Sequence, residues 1–301
     1  MEILRDADIR HLPIEAFIGP ISEFLVADFE GRATTPPRQS VHFPQGRIAF
    51  TSGGVGNLAG FRAYETFQSR DRVTQDQIVA VWDTTTCALI GVYLGTSLGA
   101  TRTGVLGAIA VNALAPSSIS TCALIGTGPQ AEAQLRAILA LRQLSEVRVY
   151  SRHEASRSAF AERLAAVTST RILPCGTPED AAAGADIVVL ATNSGTPVID
   201  AAALDHVSHI STVGPKFVNT HELPLTVASG RLIVSDSPQQ IRAQGEQHML
   251  HGLGEVGDIQ HLGKILSDGR PQEPARSLYL SAGLAGTEVV ALATALNARP
   301  T

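Results

Sequence analysis

The sequence predicts an α/β protein in two parts, an open parallel sheet covered by helices and a separate mixed α+β region. Three observations support this fold class. A glycine-rich turn lies between an apolar run and a helical pattern within residues 118–150. Strand and helix patterns alternate after this turn, whereas several β-type runs follow one another before it. Alternating elements favour a parallel sheet, and consecutive strands favour an antiparallel or mixed sheet.

The amino-terminal region predicts one helix, five strands and a second helix. An apolar stripe over residues 13–30 predicts the first helix despite Pro20, and the turn-forming stretch 31–37 ends it. Turn signals separate the β-type runs that follow, at 41–44, 47–52, 59–67, 77–83 and 88–94. The second helix opens with Thr96 or Ser97 as its cap and runs to about Leu114.

Arg102 lies in or just after the first turns of this second predicted helix. A cation near the positive end of a helix is unfavourable by several tenths of a kcal/mol, so we expect Arg102 to need an anion. A bound carboxylate would satisfy both the helix and the arginine. The alternative is a salt bridge between Arg102 and an acidic residue at the surface.

A strand, a turn and a helix are predicted at the centre of the chain. The apolar, β-branched run 119–125 stops at a G-x-G-x-x-A turn, 126–131, which opens a helix over 129–143. Gly126 permits the tight turn, Gly128 lets the backbone approach a pyrophosphate, and Ala131 lets helix and strand pack closely. A second strand at 146–150 completes a βαβ unit of the Rossmann type. The phosphates of a dinucleotide are expected at the positive end of the helix.

The residues after the second strand favour NADP over NAD. An acidic residue here would bind the ribose hydroxyls of NAD, but the chain has Ser151 and Arg152, with Arg157 one helical turn further on. A hydroxyl and a guanidinium would bind a 2′-phosphate through charge-assisted hydrogen bonds. The alternative is that Arg152 is a solvated surface arginine.

Further strands are predicted at 171–174, 186–191, 207–213 and 232–236, with helices near 178–183, from Pro238 and over 283–297. Ligands of open α/β sheets gather at the carboxyl ends of the strands. Thr192 and Asn193, which follow one of these strands, are therefore candidates for contacting the ribose of the coenzyme.

Composition and charge narrow the possible partners. Hydrophobic residues make up 44% and charged residues 17%, which fits a soluble globular chain. A formal net charge of −5 and an aromatic content of 5% argue against nucleic-acid binding. The stretch 98–114 contains an arginine and several glycines, so it does not predict a membrane span. The first residues lack the order of a signal peptide, and a cytoplasmic protein is expected.

Cysteine and histidine spacing predicts no metal site. Buried thiols in a reducing compartment are expected, because each cysteine lies in or beside an apolar run: Cys87, Cys122 and Cys175. Two histidine pairs have a spacing of three that does not favour zinc, His206 with His209 and His248 with His251. Glu255 and Asp258 could cap a helix near the coenzyme pocket, and a surface cap is as consistent with the sequence as a catalytic role.

Several stretches, in this order and spacing, resemble the ornithine cyclodeaminase and mu-crystallin family over nearly the whole chain. They are residues 101–103, 125–131, 185–189, 213–214, 254–257 and 281–284. The resemblance implies a Rossmann domain over 118–281 and a substrate and dimerisation domain made of 1–117 plus 282–301. It also implies a homodimer, and chemistry at the α-carbon of an amino acid or cyclic imino acid. The expected coenzyme contacts are Gly126, Thr127, Gly128, Pro129, Gln130, Ala131, Ser151, Arg152, Arg157, Thr192, Asn193, Val213, Gly214 and Ser281.

The resemblance also assigns substrate contacts. Arg38 and Arg102 match family arginines that hold the substrate carboxylate. Arg62 stands where the family usually has a lysine near the reacting centre, and Lys216 stands where cyclodeaminases place an aspartate that handles protons. A guanidinium can bind a carboxylate but does not easily exchange a proton. Lys216 could bind an acidic side chain of the substrate or act as the acid that protonates a nascent amine.

Three functions are compatible with these residues. The first is hydride transfer between NADP or NAD and the α-carbon of a small amino or imino acid, with Lys216 and Arg62 at the reacting centre. Another is ornithine cyclodeamination, which gives proline and ammonia with catalytic NAD and is disfavoured by a lysine where the substrate ammonium needs an anion. The third is a non-enzymatic, crystallin-like protein that binds NADPH.

Overall fold

The computed structural model describes residues 1–67, 76–118, 120–253, 258–272 and 275–298. Its helices are α1 (Asp6–Arg10), α2 (Ile18–Phe29), α3 (Ser97–Leu114), α4 (Pro129–Leu141), α5 (Glu154–Ala165), α6 (Pro178–Ala182), α7 (Pro238–Gln244), α8 (Leu262–Asp268) and α9 (Thr287–Asn297). Short 3-10 helices cover Ile14–Phe17, Ala201–Leu204, Leu225–Ala228 and Gly245–Gln247. None of the helices in this part of the chain is both long and apolar enough to cross a bilayer.

The first sheet is mixed and comes from the amino-terminal region. Its strands are β1 (Glu2–Arg5), β2 (Ala33–Thr34), β3 (Gln39–Phe43), β4 (Gly46–Val55), β5 (Leu58–Glu65), β6 (Gln77–Asp83) and β7 (Ala88–Gly95). They lie in the order β1-β7-β6-β5-β4-β2, and β3 also pairs with β4. Only the β1–β7 pairing among these described strands is parallel. Helix α9 packs against β4, β5, β6 and β7 and covers one face of this sheet.

The second sheet is parallel. The remaining strands are β8 (Thr121–Ile125), β9 (Glu146–Tyr150), β10 (Arg171–Pro174), β11 (Ile187–Leu190), β12 (His209–Thr212), β13 (Lys216–Phe217), β14 (Thr220–His221), β15 (Leu232–Ser235), β16 (Gln260–His261) and β17 (Ser277–Leu280). Eight of them form the order β10-β9-β8-β11-β12-β17-β15-β16, and β13 pairs with β14 in a small antiparallel ribbon. This arrangement confirms the predicted fold class, a Rossmann-type sheet beside a mixed α+β part. The predicted domain division at 117/118 and 281/282 stays a prediction.

The start of α3 is fixed by an acidic side chain that the sequence did not single out. Asp6 accepts hydrogen bonds from the backbone N–H groups of Thr96 and Ser97, at 2.9 and 2.8 Å, and from the hydroxyl of Tyr93. Burial would raise the pKa of Asp6, but these hydrogen bonds outweigh it and lower the pKa to about 2. Thr96 is the N-cap residue as predicted, yet the side chain of Asp6 supplies the cap.

Helices α3 and α4 approach each other through small residues. A Cβ atom at Gly104 would lie 2.4 Å from the carbonyl oxygen of Ala133 in α4. The Nε2 atom of Gln134 donates to the carbonyl oxygen of Thr103 at 2.8 Å. Helix α3 carries Arg102, and α4 begins at the glycine turn, so this contact joins the two parts of the chain.

Some details differ from the sequence prediction. Cys87 is exposed, not buried, because it ends the β6–β7 turn in a left-handed conformation with φ of 58°. Cys175 is only partly buried, and Cys122 is buried as expected. Strands β1, β2, β13, β14, β16 and β17 were not predicted. The predicted helix over 13–30 is a 3-10 turn followed by α2.

Histidine side chains act as structural groups in the second sheet. The imidazole of His209 is buried between the hydroxyls of Ser277 and Ser211, each at 2.9 Å, and burial lowers its pKa to about 3. His206 instead contacts the carbonyl oxygen of Ala182. No group of three or more His, Cys, Asp or Glu side chains in the described ranges could hold a metal ion.

Candidate active site

The carboxyl edge of the second sheet collects the predicted coenzyme contacts. Because its strands are parallel, the residues that follow them lie along one edge. Strand β8 is followed by Gly126, Thr127, Gly128, Pro129, Gln130 and Ala131, and β9 is followed by Ser151 and Arg152. Strand β11 is followed by Thr192 and Asn193, β12 by Val213 and Gly214, and β17 by Ser281. Strands β8 and β11 are neighbours here although they are far apart in sequence, which makes this the switch point where such sheets bind ligands.

The glycine turn fits a dinucleotide. Gly126 has φ of 126°, and a Cβ atom there would lie 2.2 Å from the carbonyl oxygen of Ala191, so only glycine is accommodated. Nothing lies within 4 Å of the position that a Cβ atom of Gly128 would take, so the backbone is open to a ligand. Gly128 is the N-cap residue of α4 and provides no side-chain cap, which leaves the first N–H groups of α4 available to phosphate oxygens.

Residues after β9 form a small polar group. The Nη1 atom of Arg157 donates to the carbonyl oxygen of Ser151 at 3.1 Å, so Arg157 reaches back from α5 to the end of the strand. The hydroxyl of Ser151 donates to the carbonyl oxygen of His153 at 3.2 Å. Arg152 is exposed and forms no ion pair among the residues that the structure describes.

Glu222 ties the ends of β11 and β12 together. One carboxylate oxygen of this fully buried side chain accepts from the hydroxyl of Thr212 and from the backbone N–H groups of Val213 and Gly214, at 2.6 to 3.1 Å. The other oxygen accepts from the backbone N–H and the hydroxyl of Thr192, both at 2.7 Å. Thr192 therefore uses its hydroxyl on Glu222, and Asn193 beside it is exposed. Glu222 was not among the site residues predicted from the sequence.

The three predicted arginines come from separate elements and meet in one place. Arg38 precedes β3, Arg62 lies in β5, and Arg102 lies in α3. The Nη1 atom of Arg62 and the Nη2 atom of Arg102 donate to the same Oε1 atom of Glu288, at 2.9 and 2.8 Å. The charge of Arg38 also lowers the pKa of Glu288. The structure thus brings Arg62 and Arg102 together on a buried carboxylate, which is the anion that Arg102 needs. The substrate contacts of the three arginines stay a prediction.

Glu288 is the central residue of the arginine group, and it was not predicted from the sequence. It lies in the first turn of α9 and is 2% exposed. Burial alone would raise its pKa, but the charges of Arg102 and Arg62 outweigh burial and hold the pKa below its ordinary value. The available signal was a single acidic residue at the start of an otherwise apolar helix.

Arg62 is held rigidly. Its Nε atom donates to the Oε1 atom of Gln77 at 2.9 Å, and its guanidinium carbon lies 4.0 Å from the centre of the Tyr64 ring. Together with the bond to Glu288, these contacts orient the guanidinium plane, as expected for a cation stacked on an aromatic ring.

Arg38 and Arg102 retain donors without partners. The Nη2 atom of Arg38 donates to the carbonyl oxygen of Ala282 at 3.4 Å. A Cβ atom at Gly283 would lie 3.0 Å from that Nη2 atom and 3.5 Å from Nη1 of Arg102, so both guanidinium groups face this glycine. Buried nitrogen atoms with no hydrogen-bond partner among the described residues include Arg38 Nε, Arg102 Nε and Arg102 Nη1. Buried charged donors of this kind favour an anionic ligand.

Asp236 fixes the loop that carries Gly283. Its carboxylate accepts hydrogen bonds from three consecutive backbone N–H groups, those of Ala282, Gly283 and Leu284, at 2.6 to 2.9 Å. This carboxylate is fully buried at the end of β15. The bonds hold Gly283, with φ of 83°, against the two arginines.

Lys216 lies in β13, directly after the end of β12. Its side chain is buried, and its Nζ atom donates to the carbonyl oxygen of Gly214 at 2.7 Å. Burial lowers the pKa of Lys216 to about 8, although the carboxylates of Glu222 and Asp236 oppose this change. The charge of Arg38 lowers the pKa of Lys216 further.

The family of the chain follows from a match over almost its whole length. The sequence profile of the ornithine cyclodeaminase/mu-crystallin family matches residues 3–298. The chain belongs to this family. The resemblance drawn from its motifs is therefore confirmed, although the family stretch 254–257, with Glu255, lies outside the residues that the structure describes.

Two curated relatives are named as enzymes of amino or imino acids. The NAD(P)H-dependent anabolic L-arginine dehydrogenase DauB of Pseudomonas aeruginosa is 31% identical over 278 residues, which cover 88% of this chain and 86% of the relative. A Delta(1)-pyrroline-2-carboxylate reductase of Bacillus cereus is 31% identical over 225 residues, 72% of this chain and 69% of the relative. The chain spans 62% of the length of a putative dehydrogenase from Rhizobium meliloti.

Solved structures show the same fold. The Delta(1)-pyrroline-2-carboxylate reductase of Thermococcus litoralis, in complex with NADH and L-proline, superposes with a TM-score of 0.88 at 21% identity. The match covers 99% of this chain and 97% of that one. An archaeal alanine dehydrogenase dimer with bound NAD gives a TM-score of 0.87 at 22% identity, over 98% and 95% of the chains.

The shared carboxylate predicts a stability difference between two glutamates. We expect Glu288→Gln to lower the free energy of unfolding by about 3 kcal/mol, because it leaves two buried guanidinium groups without a charge partner. The matched control is Glu132→Gln, which also removes a carboxylate from two arginines, Arg136 and Arg163, but in a more exposed pair. That change should cost less than about 1 kcal/mol. Urea denaturation measures both, and equal losses would contradict the buried ion-pair assignment.

Proposed function

We propose that the protein is an NAD(P)-dependent oxidoreductase that interconverts the C=N bond of an imino acid and the C–NH bond of the matching amino acid. The observation that carries this proposal is that Arg38 and Arg102 face Gly283, just after β17, with buried nitrogen donors that have no partner among the described residues. The glycine turn, suited to a dinucleotide, lies along the same sheet edge. A carboxylate ligand would satisfy donors that are costly to leave unbonded.

Each residue predicted to contact the substrate has a role in this proposal. Arg38 and Arg102 bind the α-carboxylate, and Arg62 orients it through a guanidinium that Glu288 and Tyr64 hold in place. When bound, the reduced nicotinamide supplies the hydride that adds to the imine carbon. A proton must then reach the nitrogen. Lys216 is our candidate donor because an ammonium with a pKa of about 8 is charged at neutral pH and still releases its proton readily.

Ornithine cyclodeamination is less compatible with these residues. A substrate with a distal ammonium group would meet Lys216 and the nearby charge of Arg38, where it needs an anion. The carboxylates beside Lys216 do not offer one, because Glu222 and Asp236 are already bonded to N–H and O–H donors. A purely coenzyme-binding role leaves the buried donors of Arg38 and Arg102 unexplained.

Turnover assays distinguish these functions. Purified protein is incubated with NADPH or NADH and cyclic imines, or 2-oxo acids plus amines, and separately with ornithine and catalytic NAD. Stoichiometric loss of reduced coenzyme is the expected result. Proline and ammonia without net coenzyme consumption would instead identify a cyclodeaminase, and tight coenzyme binding without turnover would identify a binding protein. In the same assay, Arg102→Leu should lower kcat/KM at least about 100-fold, since it removes a buried charged hydrogen-bond donor.

The matched control for Arg102→Leu is Arg163→Leu, which removes a more exposed arginine from the coenzyme-binding part. Activity should not change in this control. The dissociation constant of the coenzyme, measured by fluorescence, should change less than about twofold in either variant. Equal loss of substrate and coenzyme affinity in Arg102→Leu would show that Arg102 has been assigned to the wrong ligand.

We propose NADP as the preferred coenzyme. Exposed Arg152 and the Arg157 side chain bonded to Ser151 support this choice, because both cations lie at the end of β9. Replacing Arg152 by Asp should shift the ratio of kcat/KM values for NADPH and NADH toward NADH by about tenfold or more, since a carboxylate repels a 2′-phosphate. Arg148→Asp, on β9 itself, is the control. An unchanged ratio in Arg152→Asp would remove the argument for NADP.

We further propose a homodimer formed through the uncovered face of the first sheet. One row of side chains on this face crosses four strands, Phe50, Ala63, Ile78 and Leu94. Phe50 and Ile78 are 39% and 44% exposed, and α9 covers the opposite face. Exposed apolar patches of this kind mark protein interfaces.

The dimer predicts a change in mass on substitution. The double variant Phe50→Glu with Ile78→Glu should run as a 31.6 kDa monomer in light scattering, whereas the unmodified chain should show twice that mass. Val167→Glu, which alters an equally apolar but distant exposed residue, should leave the dimer intact. A monomeric unmodified chain would rule out this interface.

A further inference from the structure

The candidate site holds more positive charge than its own carboxylates neutralise. Arg38 and Arg102 face Gly283, and Glu288 forms ion pairs with Arg62 and Arg102 only. Lys216 follows β12, whose end pairs with the end of β17 just before Gly283. Within the described ranges, neither Arg38 nor Lys216 has a carboxylate at ion-pair distance. A single α-carboxylate on the arginines would still leave the ammonium of Lys216 without a directly bonded carboxylate among the described residues.

The acidic side chains near Lys216 are already saturated. Glu222 accepts five hydrogen bonds, and Asp236 accepts three from the backbone of residues 282–284. Both act on Lys216 through space, and neither is bonded to its Nζ atom. Among the residues that the structure describes, the ammonium therefore has one acceptor, the carbonyl oxygen of Gly214, and it has two further N–H donors.

His248 adds another buried donor beside Lys216. Its segment is held there by the backbone, because the N–H of Met249 donates to the carbonyl oxygen of Lys216 at 2.9 Å. The Nδ1 atom of His248 accepts from the N–H of Leu250 at 3.2 Å, so the ring hydrogen of the neutral imidazole is on Nε2. That Nε2 atom is buried and has no hydrogen-bond partner within the described ranges. Burial, followed by the charge of Lys216, lowers the pKa of His248 to about 4, which keeps the ring neutral.

We infer that the substrate is a dicarboxylic imino acid, with its α-carboxylate on the arginines and its second carboxylate on Lys216 and His248. This inference rests on the proposed function and narrows it to one substrate class. A second carboxylate would supply a directly bonded counterion for Lys216 and an acceptor for the Nε2 hydrogen of His248. The third N–H of the ammonium stays available to the imine nitrogen, so anchoring and proton donation by Lys216 are compatible.

Binding of unreactive analogues tests this inference without relying on turnover. Succinate and glutarate are each compared with their monoamides, succinamate and glutaramate, by calorimetry in the presence of saturating oxidised coenzyme. Each pair differs only by one carboxylate replaced by a neutral amide. At least one diacid should bind the unmodified protein about tenfold or more tightly than its monoamide, as expected for a charge-assisted hydrogen bond in a buried site.

Variants assign this preference to residues. Lys216→Met should abolish the preference for the diacid while leaving the affinity for the monoamide within about twofold. Lys216→Arg, which retains the charge, should keep a preference, and His248→Phe should reduce it severalfold. Arg102→Leu should weaken diacid and monoamide equally, because both retain the carboxylate that it binds. A thermal melt confirms folding, and if Lys216→Met does not fold, the His248→Phe result decides.

Failure of this inference differs from failure of the proposed function. Equal affinity of the unmodified protein for diacid and monoamide, or a preference that survives both Lys216→Met and His248→Phe, would overturn the dicarboxylate assignment. Reduction of monocarboxylic imines would in that case still support the oxidoreductase. A clear diacid preference with no coenzyme oxidation on any imine would retain the anion site and overturn the oxidoreductase proposal.

Discussion

The shared ion pair of Glu288 with Arg62 and Arg102 is the interaction on which the rest of the site depends. Guanidinium groups from β5 and α3 repel each other in a dry interior, and one carboxylate from α9 makes their approach possible. The same pairing fixes the first turn of α9 over the first sheet. Because one negative charge is shared by two positive ones, the cluster stays cationic and electrostatically suited to acids.

Two other buried carboxylates hold the strand ends of the second sheet, and neither forms an ion pair with the arginines in the described part of the chain. Glu222 and Asp236 are bonded to N–H and hydroxyl groups at the ends of parallel strands, where the backbone leaves donors unpaired. Their oxygen atoms are therefore occupied in holding loops. The fold thus separates two uses of acidic side chains, one that balances arginines and one that shapes the strand ends around the candidate coenzyme site.

Local patterns in the sequence were sufficient to predict most of the fold. They were insufficient to predict the buried carboxylates of the candidate site. The turn at Gly126 and the alternation of strands with helices are encoded over short stretches, so both were predicted correctly. Glu288 was missed because its partner Arg62 lies 226 residues away, and no local pattern marks such a pair. Asp236 was missed for the same reason, because the N–H groups that it binds lie 46 to 48 residues further along the chain. The burial expected for Cys87 was wrong because its neighbours are apolar but its own backbone forms the turn.

The close approach of α3 and α4 at Gly104 has a consequence for how the protein works. Backbone lies against backbone there, and the amide of Gln134 is bonded to Thr103, so rotation of one helix relative to the other would open a void or produce a clash. We therefore expect the two parts of the chain that contain α3 and α4 to behave as one rigid body. A small acid would then meet Arg102 and the glycine turn in a fixed relative position, and selectivity would come from charges that do not move when it binds.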